Sequence, residues 1–222
     1  TEGDFVVKVS VVGKNMPYFD HKIELLIISH PDKDHFEGAI KLLESYQVEK
    51  VVVNNDISNA PDYQELLRLA QGKLENAVAG ETIKIGSAEI YFLSPKENTG
   101  DTNEDSLVFQ FVYPTLSSSP LSKGEKKMKK ILFTADVPTD IEDGLIKEGV
   151  DIKSDILKVA HHGSDGSLSK KFYEAVRPVL AIISVGKDNK YGHPSARVLK
   201  TLQNLKIKYL RTDEIGDITV NF

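Results

Sequence analysis

The chain contains no cysteine and no tryptophan, and its apolar runs are short. The absence of cysteine excludes disulfide bonds and every metal site built on thiolate ligands. A membrane-spanning helix needs about 20 consecutive apolar residues, and no segment approaches that length. Basic side chains are also outnumbered by acidic ones, with 28 Lys and Arg against 33 Asp and Glu. A surface built for general nucleic-acid binding is therefore not expected, although a metal-assisted nuclease stays compatible because bound cations supply local positive charge.

The remaining composition is that of a folded domain. With 222 residues, of which 40% are hydrophobic, the chain can bury a substantial core. We find no internal repeat and no linker of the kind that separates domains, which predicts a single domain over residues 1–222. Hairpin patterns come early in the chain and strand–helix units come late. This order predicts an α/β fold with mixed sheets layered by helices.

The most informative stretch is residues 23–38, IELLIISHPDKDHFEG. Its apolar start predicts a buried strand, and a helical pattern begins directly after the polar cluster. Four side chains that can bind metal fall within six residues at this strand-to-helix turn: His30, Asp32, Asp34 and His35. Open α/β sheets bind their ligands at such strand ends, so we interpret the cluster as a divalent-metal site. The alternative is that an aspartate caps the helix and the histidines are solvated.

Three later strands also end in polar residues. Asp136 closes ILFTAD, His161 and His162 close DILKVA, and His193 follows VLAIISVG. Asp136 is a candidate bridging ligand between two cations or a helix cap. One of His161 and His162 is a candidate ligand, while the other packs or donates to a phosphate. His193 is open to three roles, namely metal ligand, general acid or phosphate contact.

Hydroxyl and amide groups near these strands are candidate substrate contacts. Ser164 and Ser167 lie in HHGSDGS, close to the start of a predicted helix where an anion can bind. Asn103 and Ser106 lie in NEDSLVF, before a predicted strand. Ordinary turn and loop hydrogen bonds are the alternative for all four. A lysine run is interpreted as a solvated hairpin tip rather than a polyanion contact; it comprises Lys123, Lys126, Lys127, Lys129 and Lys130.

Together these motifs resemble a known family. SHPDKDHFEGA resembles the signature loop of the metallo-β-lactamase fold, His-x-His-x-Asp-His, with Asp32 in place of the second histidine. With NEDSLVF, FTAD, ILKVAHHGS and SVGKDNKYGHP, the chain resembles the C-terminal domain of the ComEC family of competence proteins. The resemblance extends from about Met16 to Phe222. The combination of the loop with HHGS is specific, whereas any single motif is not.

The resemblance implies a metallo-β-lactamase-like four-layer αββα sandwich with one or two divalent cations between facing sheets. It implies metal ligation by His30, Asp32, Asp34, His35, Asp136 and His161, with His193 near the site. The clustering of acids and histidines at strand ends itself fits phosphodiester hydrolysis, in which Asp34 would orient a bound water and His193 or His162 would protonate or hold the leaving oxygen. Two departures from the family pattern stand out. The family's opening strands, with their early aspartate motif, do not precede Thr1, so we expect the sandwich to lack its first strands. Ala135 stands where a glycine commonly precedes the bridging aspartate.

The resemblance further implies a phosphodiesterase that degrades single-stranded DNA during competence-type DNA uptake. Its expected partner is a membrane channel domain, and its expected setting is the outer side of a bacterial membrane. Asp32 makes the ligand set richer in oxygen, which favours Mn²⁺ or Mg²⁺, with Zn²⁺ or iron as alternatives. Two other functions stay open at this point: hydrolysis of a small ester or lactam, and a metal-binding or DNA-binding module without catalysis. The pattern does not predict the oligomeric state.

Overall fold

We describe a computed structural model of the chain that covers residues 6–9, 21–56, 58–116 and 126–221. For residues 6–9, 116, 126 and 221 only the backbone is described. Among the helices in these ranges, none combines the length and the apolar character needed to cross a membrane.

The elements of these ranges are as follows. The strands are β1 Val6–Val9, β2 Lys22–Ile28, β3 Gln47–Val53, β4 Leu74–Asn76, β5 Thr82–Ile85, β6 Ala88–Ser94, β7 Val108–Leu116, β8 Lys126–Phe133, β9 Ile156–Lys158, β10 Leu180–Ile183, β11 Lys208–Arg211 and β12 Ile218–Asn221. The α-helices are α1 Lys33–Ser45, α2 Pro61–Leu69, α3 Thr139–Lys147, α4 Lys170–Val176, α5 Ala196–Asn204 and α6 Thr212–Ile215. A short 3₁₀ turn spans Ala160–Gly163.

The strands form three sheets. The largest has the order β11-β10-β9-β8-β7-β6-β5, the second has the order β2-β3-β4, and β1 pairs with β12. Strands β5 to β8 are antiparallel neighbours, whereas β8, β9, β10 and β11 run parallel. The β2-β3-β4 sheet is parallel throughout. The carboxyl ends of the parallel strands therefore meet along common sheet edges.

The second sheet shows why the fold has layers. Successive side chains of a strand point to opposite faces, and both faces of β3 are apolar. Val51 and Val53 pack into a cluster with Phe36 of α1 and Leu66 of α2. Val52 instead packs into the cluster between the two larger sheets. One side of this sheet is therefore covered by helices and the other by the second sheet.

The large sheet is built in the same way. Ile156 of β9 and Ile182 of β10 point into the cluster between the sheets. Their neighbours Leu157 and Ile183 point into a cluster with residues of α3, α4 and α5. The layers are thus helices, sheet, sheet and helices. The predicted α/β sandwich is confirmed, with sheets flanked by helices.

Several boundaries differ from the sequence predictions for physical reasons. ILFTAD was predicted as strand to Asp136, but β8 ends at Phe133 because the backbone turns at Ala135, where φ is +43°. Of the lysine run, residues 126–130 form the first part of β8 rather than a hairpin tip, and Lys123 lies outside the described residues. From its sequence, segment 5–12 is compatible with a strand or with a short helix, and the structure describes a strand at Val6–Val9. The other residues of that segment lie outside the described ranges, as do residues 13–20, which the sequence predicts as a connection.

Candidate metal centre

The end of β2 places His30 inside the protein. Its ring is fully buried, and Nδ1 lies 3.0 Å from the Ser29 hydroxyl oxygen. Its Nε2 is buried without a hydrogen-bond partner among the described residues. Burial, followed by the nearby His35, lowers the pKa of His30 to about 3. The ring is therefore neutral at physiological pH and holds one nitrogen without a protein partner, which is costly in a folded interior unless a ligand compensates it.

His35 and Asp136 bring the first turn of α1 to the end of β8. The His35 Nε2 lies 3.3 Å from the Asp136 Oδ2, and its ring centroid lies 4.1 Å from that of His30. The Asp136 side chain is only 5% exposed. Its Oδ2 faces the imidazoles, whereas Oδ1 lies 3.5 Å from the Lys158 ammonium. The two carboxylate oxygens are thus directed to different partners.

The turn after β9 directs the next two histidines. His161 and His162 both have left-handed backbone conformations, with φ of +46° and +53°. The consequence is that the His162 Nε2 points to the centre, 3.2 Å from the His35 Nε2 and 3.3 Å from the Asp136 Oδ2. The His162 Nδ1 donates to the Ser184 carbonyl at 2.6 Å. That bond fixes one proton on Nδ1 and directs Nε2 inward, where its lone pair is available to a cation once the Nε2 proton has left.

Asp34 lies on the solvent-exposed side of the group. Its side chain is 68% exposed, and Oδ2 lies 3.3 Å from the His162 Nε2. The hydrogen bond with His162 lowers the pKa of Asp34 to about 2. Burial alone would lower the pKa of His162, but its hydrogen bonds to Asp136 and Asp34 outweigh burial and raise that pKa to about 9. For Asp136, burial opposes ionisation, yet the contacts with His162 and His35 hold its pKa well below the ordinary value.

The donor set fits a divalent cation. Two triads of ligand atoms each lie within 4.8 Å of one another: His30, His35 and Asp136 form one, and Asp34, His35 and His162 form the other. Imidazole nitrogens and carboxylate oxygens are the ligands of Zn²⁺ and Mn²⁺ sites. The His30 Nε2, which has no hydrogen-bond partner among the described residues, is the observation that best fits a cation here. The predicted cation site is therefore supported, whereas the identity of the metal is not established.

Three of the predicted residues lie at the rim of this group. The Asp32 Oδ2 lies 3.8 Å from the His30 Nε2, and the His161 Nε2 lies 3.9 Å from the Asp136 Oδ2. The His193 ring lies 5.8 Å from the His161 ring, measured between centroids. Burial and the neighbouring His161 lower the pKa of His193. The residue pattern left open which of His161 and His162 binds metal, and the resemblance implied His161; the structure brings His162 nearer to Asp136, at 3.3 Å against 3.9 Å.

The four predicted substrate contacts are used differently. Ser167 is buried and donates its hydroxyl to the Val137 carbonyl at 2.7 Å, so that hydroxyl is not available to an anion. The Ser106 hydroxyl is likewise buried and donates to the Thr102 carbonyl at 3.3 Å. Ser164 accepts from the Gly166 amide at 3.2 Å and is half-buried. Asn103 has a buried Oδ1 without a hydrogen-bond partner among the described residues.

The loop that carries Asn103 and Ser106 is hydrogen-bonded to the residue before His30, and it contributes no atom to the two ligand triads. The Leu107 amide donates to the Ser29 carbonyl at 2.9 Å, which ties the start of β7 to the end of β2. The Asp105 carboxylate accepts from the amides of Thr99 and Gly100 at 2.8 and 2.9 Å. These bonds hold the backbone at Ser29, directly before His30.

Lys158 is a functional neighbour that the sequence reasoning missed. Its ammonium donates to the Ala135 carbonyl at 2.9 Å besides facing Asp136. Burial lowers the pKa of Lys158. The available signal was a lysine within the apolar run of β9, where a charged side chain needs a buried partner.

Comparison with known proteins agrees with this geometry. The model of the metallo-beta-lactamase superfamily matches residues 20–187. ComE operon protein 3 of Bacillus subtilis is 31% identical over 90% of this chain, and competence protein ComA of Neisseria gonorrhoeae is 29% identical over 88%. Recombination protein 2 of Haemophilus influenzae is 27% identical over 93%. The chain spans about a quarter of the length of these relatives, 25%, 25% and 24% respectively.

Two solved structures share the fold at low sequence identity. The diiron β-hydroxylase CmlA of Streptomyces venezuelae aligns with 91% of this chain and 45% of its own, at a TM-score of 0.59 and 16% identity. The metallo-beta-lactamase fold protein YhfI of Bacillus subtilis aligns with 90% of this chain and 78% of its own, at a TM-score of 0.52 and 9% identity. The chain belongs to the metallo-beta-lactamase superfamily, and its resemblance to the ComEC family of competence proteins is confirmed.

Proposed function

We propose that this domain is a divalent-metal-dependent phosphodiesterase that cleaves single-stranded DNA in a competence-type DNA uptake system. One observation carries the proposal. The Asp136 Oδ2 lies within 3.3 Å of the His35 and His162 Nε2 atoms, and the exposed Asp34 completes the group on its solvent side. A site that is buried on one side and open on the other can hold a cation and still admit a long substrate.

The ligand set favours phosphodiester chemistry. A divalent cation bound here would lower the pKa of a water molecule and offset the negative charge of a phosphate. Asp136, His30, His35 and His162 would hold it, since these side chains supply the inward-facing donor atoms. Asp34 stays ionised at neutral pH, so its Oδ2 on the open side would accept a hydrogen bond from that water and orient it. His193 lies at the rim, and its lowered pKa favours a neutral ring, so in this proposal it would hold the leaving oxygen through an N–H hydrogen bond rather than protonate it.

The biological setting comes from the relatives. Two of them are named for competence or its operon, and a third is named for recombination. Because the chain spans about a quarter of their length, their partners and location pass to it only as proposals. We therefore propose that a membrane channel domain accompanies it, on the outer side of a bacterial membrane. Mn²⁺ is the preferred metal in this proposal, with Zn²⁺ and Mg²⁺ as alternatives, and the diiron neighbour CmlA adds iron to the metals worth assaying.

The test is a cleavage assay with end-labelled single-stranded and duplex oligonucleotides in Mn²⁺, Zn²⁺ and Mg²⁺. We expect Mn²⁺-dependent cleavage of the single strand. Asp34→Asn removes the negative charge but keeps the size of the side chain, and we expect activity to fall by about 100-fold or more. Asp140→Asn is the matched control, because Asp140 is exposed in the first turn of α3; this variant should retain activity.

Three results would refute the proposal. Unchanged cleavage by Asp34→Asn would show that this carboxylate does not take part. Hydrolysis of a small ester or lactam without any cleavage of nucleic acid would show a different substrate class. Metal binding with no hydrolysis of either kind would instead assign the domain to a non-catalytic role.

A further inference from the structure

The loop after β10 exposes an aromatic ring beside the metal centre. Tyr191 is 84% exposed, more than any other large hydrophobic side chain in the described residues. Its ring is nearly parallel to that of His193, with an interplanar angle of 18° and centroids 5.9 Å apart. An aromatic ring so exposed contributes little burial to the fold. The other face of the tyrosine is open to solvent.

We propose that the stacked pair Tyr191–His193 is a seat for a nucleobase of a single-stranded nucleic acid whose neighbouring phosphate lies at the metal centre. The inference rests on the proposed phosphodiesterase function and specifies how its substrate is held. Base stacking on aromatic side chains is the usual sequence-tolerant contact of single-strand binders. A duplex hides the faces of its bases in its own stack, so this seat favours unpaired strands.

The loop holds the pair in place through Asn189. The Asn189 Oδ1 accepts from the His193 amide at 2.9 Å, and its Nδ2 donates to the His193 carbonyl at 2.8 Å. The same Nδ2 lies 3.1 Å from the Gly186 carbonyl. The Asn189 side chain therefore bonds to the backbone on both sides of itself, at Gly186 and at His193. A surface that is already ordered spends less conformational entropy when a ligand binds.

The same loop is fixed against the turn that carries the histidines. A Cβ atom added to Gly163 would lie 2.6 Å from the Pro194 Cβ, so the two segments are in direct contact. The Ser195 amide donates to the Gly163 carbonyl at 2.9 Å. From Tyr191 the path to the centre is short: His193 lies 5.8 Å from the His161 ring, and the His161 Nε2 lies 3.9 Å from Asp136. A base on Tyr191 would thus lie two histidine side chains away from Asp136, on a path along which a single strand can extend to the centre.

The charges around the seat suit a phosphate backbone. Lys187 and Lys190 are exposed, and neither forms an ion pair with any residue that the structure describes. Arg197, in the first turn of α5, makes one long ion pair with Asp165 at 3.9 Å. Against them on the loop stands Asp188. The loop is therefore locally positive on a protein whose formal net charge is −5, and positive side chains beside aromatic rings are typical of single-strand grooves.

The chain offers a direct spectroscopic test, because it contains no tryptophan. Tyr191→Trp introduces the sole indole, whose fluorescence is quenched when a base stacks on it. The metal-loaded protein is titrated with a single-stranded oligothymidylate carrying cleavage-resistant phosphorothioate linkages. We expect quenching that saturates with binding, and no quenching by an abasic oligonucleotide of the same length and backbone.

Binding affinities provide the second measurement. Tyr191→Ala should weaken binding of the base-bearing strand by about 5- to 100-fold, whereas Tyr191→Phe should stay within about threefold of wild type because it keeps the ring. The abasic strand should bind wild type and Tyr191→Ala equally. The affinity for a duplex should be equal in wild type and Tyr191→Ala.

The outcomes separate this inference from the proposed function. If wild type cleaves single-stranded DNA but Tyr191→Ala binds the base-bearing strand equally well, the seat is refuted and the phosphodiesterase stands. Equal quenching by the abasic strand would also refute the seat, because it would assign the contact to the backbone. If wild type cleaves no nucleic acid and Tyr191→Trp is not quenched by any strand, both proposals fail.

Discussion

At the scale of single residues, Asp136 is the residue on which the centre depends. Its position could be predicted only weakly, since an aspartate before a helix is often a cap. What makes it central is the left-handed backbone of Ala135, which ends β8 and turns the carboxylate towards three imidazoles. The choice between His161 and His162 depends on backbone angles in the same way. Such angles are set by tertiary packing, and no spacing of residue types in the sequence reveals them.

Glu142 of α3 is a second buried acid, which follows Asp136 by six residues and belongs to neither ligand triad. It is 1% exposed, and its Oε2 accepts from the Ser169 amide at 2.8 Å. Burial raises the pKa of Glu142 to about 8 from an ordinary 4.5. Between these pH values the folded protein holds a proton that the unfolded chain releases. The stabilisation linked to this proton is therefore complete below pH 4.5 and is lost as the pH rises through 8.

Glu142→Gln removes this titration and should flatten the pH dependence of stability. We expect the free energy of unfolding of wild type to fall, relative to the variant, by about 3 kcal/mol between pH 5 and pH 8. The measurement is chemical denaturation of both proteins at the two pH values. Comparing the change across pH cancels any constant cost of the substitution. Parallel pH profiles for the two proteins would contradict the assigned shift.

At the scale of elements, the ends of the parallel strands build the site. The strands β2, β8, β9 and β10 and helix α1 were predicted from apolar runs and periodicity, and they deliver the candidate ligands that the sequence indicated. The edge strand β4 was not predicted, because its three exposed residues, Leu74–Asn76, carry no alternating pattern. Lys158 was missed because it lies within an apolar run, and its ion pair with Asp136 is visible only in the folded structure.

Gly163 joins two of these strand-end loops and should not tolerate a side chain. Its φ is +83°, and an added Cβ would lie 2.6 Å from Pro194. Gly72 is the matched control, with a φ of +80° and nothing within 4 Å of an added Cβ. We expect Gly72→Ala to cost about 1 kcal/mol of unfolding free energy through its backbone angle alone. Gly163→Ala should cost about 1 to 3 kcal/mol more, because it also overpacks the contact.

Denaturant unfolding of the two glycine variants measures this difference. Because the two φ angles match, the excess cost of Gly163→Ala reports the contact between the histidine turn and the loop of His193. Equal costs for the two variants would mean that the two loops are not held together as the structure shows.

At the scale of the whole molecule, the candidate ligands lie at the ends of strands from the two larger sheets and in the first turn of α1. Its ligands come from segments more than 100 residues apart in sequence, as the pair His35 and His162 illustrates, separated by 127 positions. The sequence could indicate each segment, and the family resemblance indicated that they converge. Their grouping into two triads that share His35 follows only from the folded chain. A cation that binds such a group stabilises the folded state, since the unfolded chain cannot assemble it.

Metal binding by Asp136→Asn tests this convergence most directly. Wild type, Asp136→Asn and the control Asp140→Asn are dialysed against graded Mn²⁺ and Zn²⁺, and the bound metal is measured by mass spectrometry. We predict at least one equivalent bound to wild type and to the control, with affinity lowered about 100-fold or more in Asp136→Asn, because the carboxylate at the centre of the group loses its charge. Equal metal affinity in Asp136→Asn and wild type would contradict a shared cation pocket at this site.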